Sequence, residues 1–232
     1  MIRKEKNGIV WLEFEILQQF PFISHGCFTR KGDGHDSFTV AEQKNRQLIE
    51  ELLSSPIIEL NQVHSDTVLP LPFSRDTPCD GIVTDQKNKA LMIKHADCQA
   101  AFFVDPKRKL IGATHSGWRG SAQNIYEKTV RSLQALGSDP KDLIACIGPS
   151  LGPSHAEFIN WETELPPSFS PYQLGDHFDF WAISRHQLES CGLLPHNIEI
   201  ARICTFSTPE LFFSYRRDNK TTGRNGACIS LV

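Results

Sequence analysis

Between Gly81 and Ser116 the chain carries four apolar runs, GIVTD, ALMIK, AAFFVD and KLIGATH, bounded by turn chemistry such as DPKRK. Runs this apolar, with almost no polar alternation, belong to strands covered on both faces. That condition restricts the chain to a fold with a buried sheet.

Around this centre, extended and helical segments alternate. GIVWLEFEIL (8–17) alternates like a half-buried strand, and FISHGCFTR (22–30) follows as its hairpin neighbour after QQFP. TVAEQKNRQLIEELL (39–53) places Thr39 and Glu42 at capping-box spacing and Leu48, Leu52 and Leu53 on one side, which predicts a helix. IIELNQVHSDTVLPLP reads as two short extended pieces around the polar NQVHSD. SAQNIYEKTVRSLQALG (121–137) sets Ala122, Ile125, Val130, Leu133 and Leu136 at helical spacing, with Gly137 as the stop. Beyond it come a strand at 142–148, a helix opening behind Asp179, a strand at 197–205 and a strand-like tail; Pro166, Pro167 and Pro171 mark an exposed loop. With no repeat, low-complexity tract or linker, residues 1–232 read as one α/β domain.

Composition narrows the function classes. Hydrophobic residues at 40% and charged residues at 22% suit a globular protein, and a formal net charge of −3 gives no basic excess for nucleic acid or anionic membrane. A small or neutral substrate fits better. MIRKEKNGIVWLEFE lacks the apolar core of a signal peptide, and no apolar run approaches the about 20 residues of a membrane helix. The seven cysteines, at 27, 79, 98, 146, 191, 204 and 228, form no C-x-x-C pair. These features predict a soluble protein of a reducing cytoplasm.

Chemistry concentrates at GATHSGWRG (112–120), where a strand gives way to a helix. His115 in that string, His64 in NQVHSD and Cys98 in HADCQA stand at strand edges. Two imidazoles and a thiolate make a three-ligand set that leaves a fourth tetrahedral position open on zinc, the pattern of a catalytic site. The same residues also admit plain structural roles: Cys98 as a small buried hydrophobe, His64 bonded to Asp66, His115 satisfied by backbone, and Trp118 as a core anchor.

The strings FTRKGDG, NQVHSD, DGIVTD, HADCQAAFF, GATHSGWRG, CIGPSLGP, DFWAISRHQL, CTF and FFSYRRDNKTTGR, in this order, closely resemble the YfiH-type family of laccase-domain proteins, also called purine nucleoside phosphorylases. The resemblance runs from about Gly26 to the C-terminus. It implies a single layered α/β domain with a mixed sheet flanked by helices, and zinc held by His64, Cys98 and His115. It also implies phosphorolysis of adenosine, inosine and methylthioadenosine, with adenosine deamination as a side activity. The partners are then a purine nucleoside and phosphate.

In that setting Gly117 and Gly120 permit a tight turn and close backbone approach, and Trp118 walls the pocket. Arg119 adds positive potential near the following helix or, alternatively, pairs with an acid and staples the turn. Arg30 is the first candidate for phosphate, because a guanidinium fork matches phosphate oxygens. Asp97, Asn61 and Gln62, beside the ligands, are candidates to orient them or to hold the nucleoside. Arg216, Arg217 and Arg224 read as solvated or structural. Ser154, His155 and Ala156 stand where many relatives carry cysteine and tyrosine. The P-C-x-x-C string of the zinc nucleobase deaminases is missing, so deamination would use another scaffold. Two other readings compete: a cysteine hydrolase with Cys98 as nucleophile and His64 or His115 as base, and a copper polyphenol oxidase. The copper reading is disfavoured by two methionines and no H-x-H string.

Overall fold

Asn7 and Gly8, both at positive φ (52° and 76°), turn β1 (Ile2–Lys6) back onto β2 (Ile9–Glu13). Two left-handed residues give the hairpin turn that matches strand twist. The strand expected from Gly8 is thus preceded by an unexpected one, β1. As predicted, β2 pairs antiparallel with β3 (Ile23–Phe28), although it stops at Glu13. The computed structural model describes residues 1–32 and 34–232; Asp33 of FTRKGDG lies outside the described residues.

Helix α1 (Gln43–Leu53) follows, and the short strands β4 (Ile57–Glu59) and β5 (Val68–Pro70) enclose NQVHSD. The four apolar runs become β6 (Gly81–Thr84), β7 (Ala90–His95), β8 (Gln99–Asp105) and β9 (Leu110–Ser116). Helices α2 (Trp118–Ala122) and α3 (Ile125–Ala135) lead to β10 (Ile144–Ile147) and α4 (Trp161–Glu164). A small hairpin of β11 (Gln173–Leu174) and β12 (His177–Phe178) precedes α5 (Phe180–Ser190), β13 (Ile198–Ile200) and β14 (Asn225–Leu231).

Two six-stranded mixed sheets result where a single sheet was expected, in the orders β1-β2-β3-β14-β7-β4 and β13-β10-β8-β9-β6-β5. Side-chain alternation along the buried strands builds the layers. Ala100, Phe102 and Val104 of β8 face the other sheet and meet Leu91, Ile93, Ala227 and Ile229. Ala101 and Phe103 turn outward to Tyr126, Val130 and Leu133 of α3 and Leu188 of α5. On the far side, Met92 and Cys228 pack against Ile49 and Leu53 of α1. Helices therefore cover both outer faces of the paired sheets, which is why the strands lack polar alternation. Each fully buried phenylalanine here, such as Phe102, contributes on the order of 1.5–3 kcal/mol by leaving water.

Local signals were partly overridden by tertiary contacts. Thr39 does not cap α1: its Oγ1 accepts the Arg224 N–H at 2.8 Å, and the helix begins behind Glu42 with no side-chain cap. The helix expected over 121–137 breaks at Asn124, whose φ of 53° separates α2 from α3. Gly137 at φ 98° does end it, and Asp179 caps α5 by accepting the Ala182 N–H. The loop expected at 166–171 is largely a 3-10 helix, Pro167–Tyr172, that buries Phe169. Only Ile198–Ile200 of the strand expected over 197–205 forms regular structure. Among the described residues no helix is long and apolar enough to cross a membrane.

The register brings chemistry to one end of the second sheet. Ala100 pairs with His115 and Gly81 with Thr114, so Cys98 and Asp80, each just ahead of its strand, flank the end of β9.

Candidate metal centre

Asp80, which is fully buried, organises this end of the sheet. Its carboxylate accepts the N–H groups of Val63 (3.1 Å), His64 (3.0 Å) and Ser65 (2.7 Å) and the Ser65 hydroxyl (2.9 Å). It also lies 2.8 Å from His115 Nδ1. His64 sits at φ 62°, a left-handed conformation that costs a residue with a Cβ about 1–2 kcal/mol. Hydrogen bonds to a charged acceptor contribute about 1.5–3 kcal/mol each, so three in succession hold that turn. A carboxylate facing an imidazole can only accept, which puts the proton on His115 Nδ1 and leaves Nε2 for a ligand.

The ligand atoms of His64, Cys98 and His115 all lie within 4.8 Å of one another. Cys98 Sγ is 4.0 Å from His64 Nε2, and the two imidazole rings stand at 80° with centroids 4.8 Å apart. Tetrahedral zinc with the usual bond lengths needs ligand separations of about 3.4–3.6 Å. Side-chain shifts of under about an ångström would close that gap, so the donor set fits zinc. His115 is buried, Cys98 half-buried and His64 exposed, so the cluster opens to solvent on one side.

The electrostatics agree. Burial would raise the Cys98 thiol, but His115 and His64 bring it down to about 6. Burial would lower the His115 imidazole, but Cys98 and Asp80 hold it up at about 9. Burial also opposes ionisation of Asp80, yet hydrogen bonds from His115 and Ser65 pull it to about 2. Two anions thus converge around one imidazole, and a divalent cation beside the thiolate can displace the protons that bridge them.

Gly117 provides the close approach expected of it, but without the special turn conformation. Its φ is an ordinary −77°, but an added Cβ would lie 3.0 Å from His64 Cδ2 and 3.1 Å from Cys98 Sγ. At Gly120 the nearest atom would be at an ordinary 3.5 Å. Gly117→Ala is therefore expected to weaken zinc binding by about tenfold or more, as displaced ligands do, while Gly120→Ala keeps it; chelator competition measures both.

The remaining candidates scatter. Trp118 is half-buried, packs on the Leu165, Phe169, Phe178 and Ile183 cluster, and carries the Arg119 guanidinium 4.2 Å above its ring. Arg119 is exposed and has no acid at ion-pair distance among the described residues. Arg30 donates to the carbonyls of Asp36 (2.8 Å) and Pro209 (3.1 Å) and covers the Phe213 ring; none of these contacts is with the cluster. Asn61 donates to the Asp76 carbonyl, and Gln62 exchanges two bonds with the Lys94 backbone.

Asp97, at φ 84°, accepts from the Thr205 hydroxyl (2.7 Å) and the Arg216 N–H (2.6 Å), while its carbonyl accepts from Leu151. The residue beside Cys98 thereby fastens three distant segments. Arg217 spends its guanidinium on the Asp218 carboxylate and on nearby carbonyls, Arg224 on the Thr222 and Gly223 carbonyls, and Arg216 on the Glu157 carbonyl. His155–Glu157 spells the H-x-E of nucleobase deaminases, but His155 lies against Cys204 and Phe206, outside the metal cluster. Asp80 was missed in the sequence because its partners lie 15 to 35 residues away along the chain; the D-G pair ahead of a strand signals only a turn.

Comparison with known proteins places this geometry. The family described as "Multi-copper polyphenol oxidoreductase laccase" matches residues 29–232. The chain is 31% identical over 223 residues to the "Purine nucleoside phosphorylase" of Haemophilus influenzae, covering 90% of this chain and 87% of that protein. It superimposes on the crystal structure of the Bacillus licheniformis hypothetical protein YfiH with a TM-score of 0.84 and 25% identity, covering 99% of each chain. YlmD from Geobacillus stearothermophilus gives the same TM-score at 26% identity over 98% of this chain and 97% of that one. The layered mixed-sheet fold and the match over nearly the whole length agree: the chain belongs to the YfiH-like, multi-copper polyphenol oxidoreductase laccase family.

Proposed function

We propose that the chain is a zinc-dependent purine nucleoside phosphorylase acting on adenosine, inosine and methylthioadenosine with inorganic phosphate, with adenosine deamination as a side activity. The observation that carries this reading is the His64, Cys98 and His115 cluster, open on one side, in a chain 31% identical to a relative of that name. Bound zinc supplies a Lewis acid toward a substrate oxygen or nitrogen and a means of making hydroxide near neutral pH.

The chain's own residues do the rest. Asp80 keeps the His115 proton on Nδ1 and fixes the His64 turn, so both imidazoles stay aimed. Cleavage of the C1′–N bond passes through an oxocarbenium-like state, which fixed charges stabilise without a covalent nucleophile. Arg119, exposed on α2 with no acid at ion-pair distance among the described residues, and Arg30, with two of its five N–H donors on carbonyls among the described residues, supply cationic donors for phosphate. Asn61 borders the His64 turn and contributes to holding the nucleoside. The seven free thiols accord with a reducing cytoplasm.

A nucleoside panel incubated with and without phosphate, with products separated by chromatography, tests the reading. Free base and pentose 1-phosphate should form only when phosphate is present. Zinc-loaded protein that releases no base, or releases it equally without phosphate, contradicts it.

The lowered Cys98 thiol beside His115 also suits a cysteine hydrolase. Chelation separates the two: a zinc enzyme loses activity and regains it with zinc, whereas a hydrolase is insensitive to chelator and stopped by thiol alkylation. Copper is the less favoured occupant, since the described residues present one three-ligand cluster and the sequence has no H-x-H string.

A further inference from the structure

Outside the metal cluster a second thiol faces an imidazole. Cys204 Sγ lies 3.8 Å from His155 Nδ1 and accepts the Gly152 N–H at 3.2 Å. His155 is held in place by stacking on Phe206, with centroids 4.0 Å apart at 23°, and its Nδ1 is 3.5 Å from the Ser207 hydroxyl. Both Cys204 and His155 are half-buried and reachable from solvent. The other thiols differ: Cys27, Cys79, Cys146 and Cys228 are buried, and Cys98 belongs to the metal cluster. Cys191 is half-buried like Cys204 but has no imidazole partner among the described residues, and burial and Glu127 raise its thiol to about 11.

We propose that Cys204 is a hydroperoxide-reactive modification site, with His155 as the base that serves it. The Sγ proton passes to His155 Nδ1, and the thiolate attacks one peroxide oxygen. The S–O bond forms as the O–O bond breaks, and two electrons move from sulfur to the peroxide. The departing oxygen takes the proton from His155 and leaves as water or an alcohol, and Cys204 becomes a sulfenic acid. The Gly152 N–H stabilises the thiolate at the start. Modification also has a route to the metal centre, because the next residue, Thr205, anchors Asp97 beside Cys98.

The site is independent of the phosphorylase reading, since its test needs no nucleoside. Zinc-loaded full-length protein is exposed to dilute hydrogen peroxide with a sulfenic-acid-trapping dione, and labelled peptides are counted by mass spectrometry. Cys204 should be labelled at least about tenfold faster than Cys191, the difference an activated thiol makes. His155→Gln should cut Cys204 labelling by a similar factor, and so should His155→Phe, which keeps the stacking on Phe206 without a proton acceptor. Equal labelling of Cys204 and Cys191, or Cys204 labelling unchanged in both folded His155 variants, would overturn the proposal.

Discussion

Cys98→Ala is expected to abolish zinc binding and phosphate-dependent base release together while the protein stays folded. The thiolate is the one anionic donor among the three, and two neutral imidazoles, one on the 63–65 turn and one at the end of β9, hold zinc far more weakly. The loss should exceed the about 10–100-fold cost of removing a group that only orients a ligand. His64→Ala should behave alike, and because His64 is exposed it leaves no cavity, which makes it the cleaner variant for folding. His115→Ala should also lose the metal but leaves buried Asp80 short of a partner, at a further cost of about 1–3 kcal/mol in stability. Zinc by elemental analysis, base release and a thermal melt give the three readouts. Full turnover by Cys98→Ala would show that the site is misassigned.

Asp80→Asn should be nearly as damaging, although Asp80 is outside the set of metal donors. An amide has one acceptor oxygen for a position where a carboxylate takes five hydrogen bonds. If that oxygen stays with Val63 and Ser65, the amide NH2 opposes the His64 N–H and faces His115 Nδ1, where it selects the tautomer protonated on Nε2, the nitrogen a metal needs. If it stays with His115 and His64, the NH2 opposes the N–H groups of Val63 and Ser65 on either side of His64. Zinc affinity should fall about 10–100-fold by either route, with a lower melting temperature. The pH dependence has a defined sign. Because folding lowers the Asp80 carboxyl from 3.8 to about 2, its contribution to stability is complete above pH 3.8 and is lost as pH falls through about 2. In Asp80→Asn that acid-side loss should disappear.

Periodicity made the framework legible. The runs that became β6 to β9 announced burial on both faces, and the helices ending at Leu53, at the Gly137 stop and beginning behind Asp179 were marked by apolar spacing or local punctuation. Sheet number was not legible, because Phe102 and Phe103 are alike in sequence whether the layer opposite is a helix or another sheet. Thr39 looked like a cap, but its hydroxyl met Arg224, 185 residues away, and the longer contact prevailed. The metal-capable residues were visible by type and by family resemblance. What assembles them was not: Asp80 and Gly117 act through atoms that meet only after the strands take their register.

Two imidazoles and one sulfur are expected to share a single ion with a corner left open. X-ray absorption at the zinc edge of the purified protein reads that shell directly. The expected result is one sulfur at about 2.3 Å, two imidazole nitrogens at about 2.0–2.1 Å and one light exchangeable atom. A shell without sulfur, or one completed by further protein sulfurs, would contradict it.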